Sequence, residues 1–131
     1  MATVYLIPAP LDEESLQSIP AYVLDAVKQC TVFFVENERT ARRFLKKLDK
    51  SIVIDDHEWF TIHKAEAQVK GQFIQKLQQN KTVGIISEAG CPGIADPGQV
   101  LIEAAHKQGA IVKPLVGPSS ILLALMGSGM N

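Results

Sequence analysis

The chain has 131 residues, 47% of them hydrophobic, and a formal net charge of −1 at pH 7. This length and composition suit one domain with its own core, and the near-neutral charge argues against nucleic-acid binding through the overall field of the domain. No apolar run approaches the ~20 residues of a membrane span, and the first ten residues lack a positively charged leader. The two cysteines, Cys30 and Cys91, have neither disulfide-framework nor metal-ligand spacing. We therefore expect a cytoplasmic protein without a membrane segment.

Short apolar runs alternate with amphipathic segments along the chain. Runs rich in β-branched and aromatic residues predict strands, and apolar residues at helical spacing predict helices. In chain order the predicted elements are strand Val4–Ile7, helix Pro20–Lys28, strand Thr31–Val35, helix Arg39–Leu48, strand Ile52–Ile54, helix Ala65–Gln79, strand Thr82–Ile86, helix Gln99–Lys107, strand Ile111–Val116 and helix Ser119–Met126. Gly109 is placed to end the fourth helix. This alternation predicts an α/β fold with a five-stranded, mainly parallel, doubly wound sheet flanked by helices.

The segment SEAGCPGIADPG, from Ser87 to Gly98, joins a predicted strand to a predicted helix. Such connections usually take about two to six residues, so this one is unusually long. Ligands of open parallel sheets bind beyond the carboxyl ends of the strands. Glycine lets the backbone approach a ligand closely, and proline restricts the loop before binding. We predict a ligand-binding loop here, against the alternative of an ordinary long turn.

Two other loops also follow predicted strands. The first contains Pro8-Ala-Pro10, and the second is Gly117-Pro118-Ser119-Ser120. Backbone N–H groups at the start of the last helix suit ring nitrogens, hydroxyls or a carboxylate of a ligand, although the serines serve equally well as N-caps. No Gly-Lys-Ser/Thr follows a glycine, and no GxGxxG follows the first strand, so the common nucleotide-binding layouts are absent.

Basic residues are concentrated between Arg39 and Lys50, where six stand against one acid, Asp49, while the rest of the chain has seven basic and thirteen acidic residues. A helix here would bury Phe44, Leu45 and Leu48 and turn its cations to solvent. A solvated helix face and a polyanion contact both remain open.

These motifs resemble those of the tetrapyrrole methylase family, the class III S-adenosylmethionine-dependent methyltransferases. Ser87–Gly98 is similar to the sequence SDAGTPGISDPG of the branch that methylates a ribose 2′-hydroxyl of small-subunit ribosomal RNA. Val116–Ser120 is similar to its PGPSA motif, and Glu36-Asn-Glu-Arg39 to its EDTR motif. The chain departs from that branch at the first turn, which lacks a Gly-Asn pair, and at Glu88 and Cys91, which replace Asp and Thr. The resemblance covers the whole chain.

The resemblance implies S-adenosyl-L-methionine as cofactor and no metal. It assigns cofactor binding to residues of the three loops: Pro8, Pro10, Ser87, Glu88, Ala89, Gly90, Cys91, Pro92, Ile94, Pro118, Ser119 and Ser120. The candidate catalytic residues are Glu36, as the base for the acceptor proton, and Arg39, as a ligand of an RNA phosphate. Glu36 serves equally well as an N-cap or as an ion-pair partner of Arg39.

The resemblance further implies that residues 1–126 form an amino-terminal domain and that residues 127–131 begin a linker to a second domain. This chain alone would then hold an incomplete active site. The expected substrate is ribosomal RNA, and the expected full-length protein is a homodimer. Two alternatives remain: a methyltransferase of the same fold that acts on a tetrapyrrole or another small molecule, and a non-catalytic domain that binds a ligand or partner.

Overall fold

The computed structural model describes residues 1–10, 16–62, 66–87, 98–117, 126–127 and 129. Within these residues, strands and helices alternate as the sequence predicts. The elements are β1 Thr3–Ile7, α1 Tyr22–Gln29, β2 Val32–Val35, α2 Glu38–Leu48, β3 Glu58–Thr61, α3 Glu66–Gln78, β4 Val83–Ile86, α4 Gln99–Lys107 and β5 Ile111–Pro114, with short 3-10 turns at Leu16–Ser18 and Ile54–Asp56. The helix predicted over 119–126 lies almost wholly outside the described residues.

The five strands form one sheet in the order β3-β2-β4-β1-β5, and every neighbouring pair is parallel. The predicted α/β fold is therefore confirmed. β4 lies at the centre of the sheet, between β2 and β1. The loop predicted to bind a ligand thus leaves the central strand.

The prediction of a strand at Ile52–Ile54 is wrong. Ile54 begins a 3-10 turn, and the third strand is Glu58–Thr61, paired in register with Val32–Val35. The physical reason lies in the tertiary packing of two aromatic residues on β3. Trp59 stacks on Phe33 with ring centroids 4.9 Å apart, and Phe60 stacks on Phe34 at 4.7 Å. Those contacts outweigh the local β preference of Ile52-Val-Ile54.

The two faces of the sheet are covered by different helices. Alternate strand residues point to opposite faces, so each strand supplies both layers of the core. Tyr5, Ile7, Phe33 and Val35 pack with buried residues of α1 and α2, whereas Val4, Leu6, Val32 and Phe34 pack with those of α3 and α4. Gly84 leaves room for the side chains of Ile7 and Phe33 on the face covered by α1 and α2. An added Cβ there would lie 2.7 Å from Ile7 Cδ1 and 2.9 Å from Phe33 Cδ1.

The two helices on the other face, α3 and α4, end in the same way. Gly109, with φ 73°, follows α4, and its N–H donates to the carbonyl of His106, while Ala110 N–H donates to Ala105. Asn80, with φ 59°, has the equivalent position after α3. These bonds satisfy carbonyls that the helix leaves open, and they confirm Gly109 as the predicted terminator.

Candidate active site at the carboxyl edge of the sheet

Three predicted site residues begin loops at one edge of the sheet. The register aligns Ile7, Ile86 and Val35 across β1, β4 and β2. The residues that follow them are Pro8, Ser87 and Glu36, and neighbouring strands lie about 4.8 Å apart. The sheet therefore brings together residues that are up to 79 positions apart in the sequence.

The connection after β4 and those after its neighbours β1 and β2 lead to opposite faces of the sheet. The chain leaves β4 toward α4 on one face of the sheet, whereas it leaves the flanking strands β1 and β2 toward α1 and α2 on the other. Ligands of open α/β sheets bind where successive connections diverge in this way. Ser87 directly follows β4 at this point of divergence and is buried, with 6% of its surface exposed.

The loops after β1 and β5 are in direct contact. Leu115 N–H donates to the carbonyl of Leu6 at 3.1 Å, which extends the pairing of the two strands. Beyond it, the backbone of Gly117 lies so close to Pro8 that an added Cβ would overlap Pro8 Cβ and lie 2.6 Å from its Cγ. Pro8 is buried and Pro10 is half-buried. Two loops that the sequence assigned to one ligand thus touch each other.

Tyr22 joins this contact and was missed by the sequence analysis. It begins α1, and its hydroxyl oxygen accepts a hydrogen bond from Val116 N–H at 2.6 Å. The hydroxyl proton stays available to donate to a further group, because the oxygen serves here as the acceptor. No sequence signal identifies this bond, since it joins residues 94 positions apart.

The two candidate catalytic residues flank the start of α2. Glu36 N–H donates to Ile86 carbonyl at 3.1 Å, which places half-buried Glu36 beside the end of β4. Arg39 lies in the first turn of α2 and is exposed. The N-cap of α2 is Asn37, whose side chain accepts from Thr40 N–H at 3.1 Å. The alternative that Glu36 is the N-cap is therefore wrong, because Asn37 caps the helix and the helix begins at Glu38.

Arg42 is held in place by its neighbours in the fold. Its guanidinium lies 5.3 Å above the Trp59 ring and 3.0 Å from the Glu38 carboxylate. Its Nε is buried and has no hydrogen-bond partner among the described residues. Arg42 therefore packs over Trp59 of β3, the edge strand of the sheet, and does not extend toward a ligand.

The remaining predicted cofactor-binding residues lie outside the described residues. They are Glu88, Ala89, Gly90, Cys91, Pro92, Ile94, Pro118, Ser119 and Ser120. The described ends of their segments, Ser87 and Gly117, fix where both loops begin. These nine assignments stay predictions.

Other chemistry lies away from this edge. The Cys30 thiol donates to the Ala26 carbonyl, and burial raises its pKa to about 12, so it is an unreactive thiol. Over the ranges that the structure describes, no group of three or more His, Cys, Asp or Glu side chains can hold a metal ion.

A cavity of about 290 Å³ near Leu77 and Gly109 lies at the opposite, amino edge of the sheet. Within the same ranges, no helix is long and apolar enough to cross a membrane.

No model of a known protein family matches the chain. Sequence comparison finds relatives named "Ribosomal RNA small subunit methyltransferase I". The relative from Halalkalibacterium halodurans is 29% identical over 98% of this chain and 42% of its own length, and that from Vibrio cholerae is 30% identical over 97% and 42%. The relative from Bacillus subtilis is 27% identical over 99% and 42%. The chain therefore spans less than half the length of these relatives.

Structural comparison finds the same fold in solved methyltransferases. The uroporphyrin-III C-methyltransferase of Thermus thermophilus superposes with a TM-score of 0.68 at 16% identity, over 99% of this chain and 54% of that one. A structure of that enzyme complexed with S-adenosylhomocysteine gives 0.64 at 16% identity, over 94% and 51%. The resemblance that the motifs predicted is confirmed: the chain is similar in sequence to proteins named ribosomal RNA small subunit methyltransferase I, and it shares the fold of a solved uroporphyrin-III C-methyltransferase.

Proposed function

We propose that the protein is an S-adenosylmethionine-dependent methyltransferase that methylates a ribose 2′-hydroxyl of small-subunit ribosomal RNA in the cytoplasm. The observation that carries this proposal is the similarity of nearly the whole chain to methyltransferases of that name, at 27–30% identity. Three of the predicted ligand-binding loops begin at the carboxyl edge of the sheet, which supports the proposal because this edge is where open α/β sheets bind ligands.

The described residues fit a cofactor of this kind. Pro8 and Gly117 hold two loops together, and Ser87 adds a buried hydroxyl between them and Glu36. A ligand bound here meets rigid proline rings and a hydroxyl at the end of the central strand. We assign Pro8, Pro10 and Ser87 to cofactor binding, together with residues 88–92, 94 and 118–120.

When bound, S-adenosylmethionine supplies a methyl group on a positively charged sulfur, which leaves as a neutral thioether. Bound here, it would allow methyl transfer to the acceptor oxygen, in which a C–O bond would form as the C–S bond breaks and the hydroxyl proton would be released. Glu36, beside the end of β4, accepts the hydroxyl proton. Arg39, three residues further along, binds a phosphate of the RNA and so orients the acceptor ribose.

We propose that residues 1–126 are the amino-terminal domain of a longer protein and that residues 127–131 begin a linker. The coverage of 42% of the relatives' length supports this division. A second domain would form the other wall of the cofactor cleft, and we propose that the full-length protein is a homodimer. The isolated chain should then fold but show background methyl transfer, and light scattering of the full-length protein should give twice the subunit mass.

A tetrapyrrole or another small molecule is the second candidate substrate, because the neighbours by fold include a uroporphyrin-III C-methyltransferase. The sequence favours RNA, since identity to that enzyme is 16% against 29–30% for the RNA methyltransferases. A non-catalytic ligand-binding domain is a third candidate. Transfer of labelled methyl to RNA would eliminate both.

The test uses the full-length protein and small-subunit ribosomal RNA from cells that lack it. Calorimetry should give micromolar binding of S-adenosylmethionine, on the order of −8 kcal/mol. Labelled methyl should appear on the RNA, and Glu36→Gln should lower that rate about 100-fold with unchanged cofactor affinity. Glu103→Gln, on the exposed face of α4, is the matched control. Absence of cofactor binding by the full-length protein would refute the proposal.

A further inference from the structure

The exposed face of α2 is a continuous basic surface. Ala41, Phe44 and Leu45 are buried against the sheet. At ~100° per residue, Arg39, Arg43 and Lys46 lie on the opposite side of the helix, with Lys47 next to them. All four side chains are exposed. We call these four residues the basic ridge.

We propose that the basic ridge binds the sugar–phosphate backbone of the RNA strand that carries the methyl acceptor. This inference rests on the proposed function, since it names the surface through which that substrate is held. It also decides between the two interpretations of the basic segment that the sequence left open, in favour of a polyanion contact.

The position of the ridge supports this inference. α2 begins directly after Glu36, so Arg39 lies near the carboxyl edge, and the ridge extends from there along the outside of the domain. With a rise of 1.5 Å per residue, Arg39 and Lys47 are about 12 Å apart along the helix axis. A nucleic-acid strand advances about 3.4 Å per nucleotide in a duplex, so the ridge matches the backbone of about three to four nucleotides.

The structure separates Arg42 from its basic neighbours. Arg42 packs over Trp59 and pairs with Glu38 at the side of the helix. Asp49, the acid within the basic segment, pairs with Lys28 at 3.5 Å, and hydrogen bonds from Ser51 lower the pKa of its carboxyl. Arg42 therefore stabilises the fold beside the basic ridge and is not part of it.

The composition of the surface favours RNA over other anionic partners. A membrane-binding helix inserts its apolar face into lipid, but Phe44 and Leu45 are enclosed in the protein core. Protein interfaces are centred on aromatic and apolar side chains and are depleted in lysine, whereas the ridge consists of arginine and lysine alone. Backbone phosphates, by contrast, are bound by such cations without an apolar contribution.

The experiment measures RNA binding by the full-length protein across a series of salt concentrations. The ridge variant is Arg43→Gln with Lys46→Gln, which leaves Arg39 in place. The control is Lys81→Gln with Lys107→Gln, which removes the same charge near the amino edge of the sheet. Small-subunit ribosomal RNA is the probe, and circular dichroism verifies that both variants are folded.

We expect the ridge variant to reduce the magnitude of the slope of log RNA affinity against log salt by about 1.5. Each of the two lost phosphate contacts should reduce that magnitude by about 0.7–0.9. The affinity for RNA at 0.1 M salt should fall roughly 10- to 30-fold. The affinity for S-adenosylmethionine, measured by calorimetry, should stay unchanged. The control should retain the wild-type slope.

Three results would overturn the inference: equal RNA affinity and slope in the ridge variant and wild type, an equal loss in the control, or no RNA binding by the wild type. Loss of binding to phosphatidylserine vesicles with RNA binding intact would assign the ridge to membranes instead. The proposed function is tested separately, because it fails only if the wild type binds no cofactor or transfers no methyl to RNA.

Discussion

Replacing Gly117 by alanine tests whether the contact between the loops after β1 and β5 builds the cofactor site. An alanine Cβ would overlap Pro8 Cβ and lie 2.6 Å from Pro8 Cγ, where ordinary contacts begin near 3.4 Å. Pro8 cannot yield easily, because its ring is rigid and it directly follows fully buried Ile7. The two loops must therefore move apart by about 1 Å.

This displacement should affect function more than stability. Overpacking of this kind costs roughly 1–3 kcal/mol of unfolding free energy. A misplacement of about 1 Å at a reactive site can cost about 100-fold in rate. We therefore expect Gly117→Ala to lower kcat/KM for methyl transfer about 100-fold and to weaken cofactor binding, while the protein remains folded.

Gly71→Ala is the matched control. Gly71 lies within α3, and an added Cβ there meets no atom within 4 Å. The change should raise the unfolding free energy by about 0.5–1 kcal/mol without altering kcat/KM. Urea denaturation, calorimetry with S-adenosylmethionine and labelled-methyl assays of both variants decide the question. Wild-type cofactor affinity and rate in Gly117→Ala would show that these loops do not form the cofactor site.

Three further predictions concern Tyr22, Arg42 and Cys30. Tyr22→Phe removes the acceptor for Val116 N–H, and we expect a several-fold rise in KM for S-adenosylmethionine with unfolding free energy lowered by about 1 kcal/mol; an unchanged KM would contradict this. Arg42→Gln should lower stability by about 1–2 kcal/mol through the lost contact with Trp59 but leave the salt dependence of RNA binding unchanged, which filter binding would check. Because Cys30 titrates near pH 12 when folded but near its ordinary value of 9.0 when unfolded, unfolding free energy should fall by up to about 1.4 kcal/mol per pH unit above pH 9. Urea denaturation of Cys30→Ala should show a weaker decline, and an equal decline would exclude the thiol as its cause.

Local patterns in the sequence determined most of the secondary structure. Val32–Val35 and Gln99–Lys107 lie where hydrophobic runs and helical periodicity predict them, because each pattern reflects one strand or helix burying its own apolar residues. The parallel sheet followed from the alternation of these elements, since parallel strands need a crossover between them. The motifs after three strands also indicated the edge of the sheet where we place the candidate site.

Only the tertiary structure decided the features that depend on contacts between distant segments. The third strand lies at Glu58–Thr61 because Trp59 and Phe60 stack on residues of β2, and no local propensity contains that information. The close approach of Gly117 to Pro8 and the separation of Arg42 from the basic ridge likewise depend on how the elements pack. Hydrophobic periodicity is a property of one segment, whereas such contacts require the register and topology of the whole sheet.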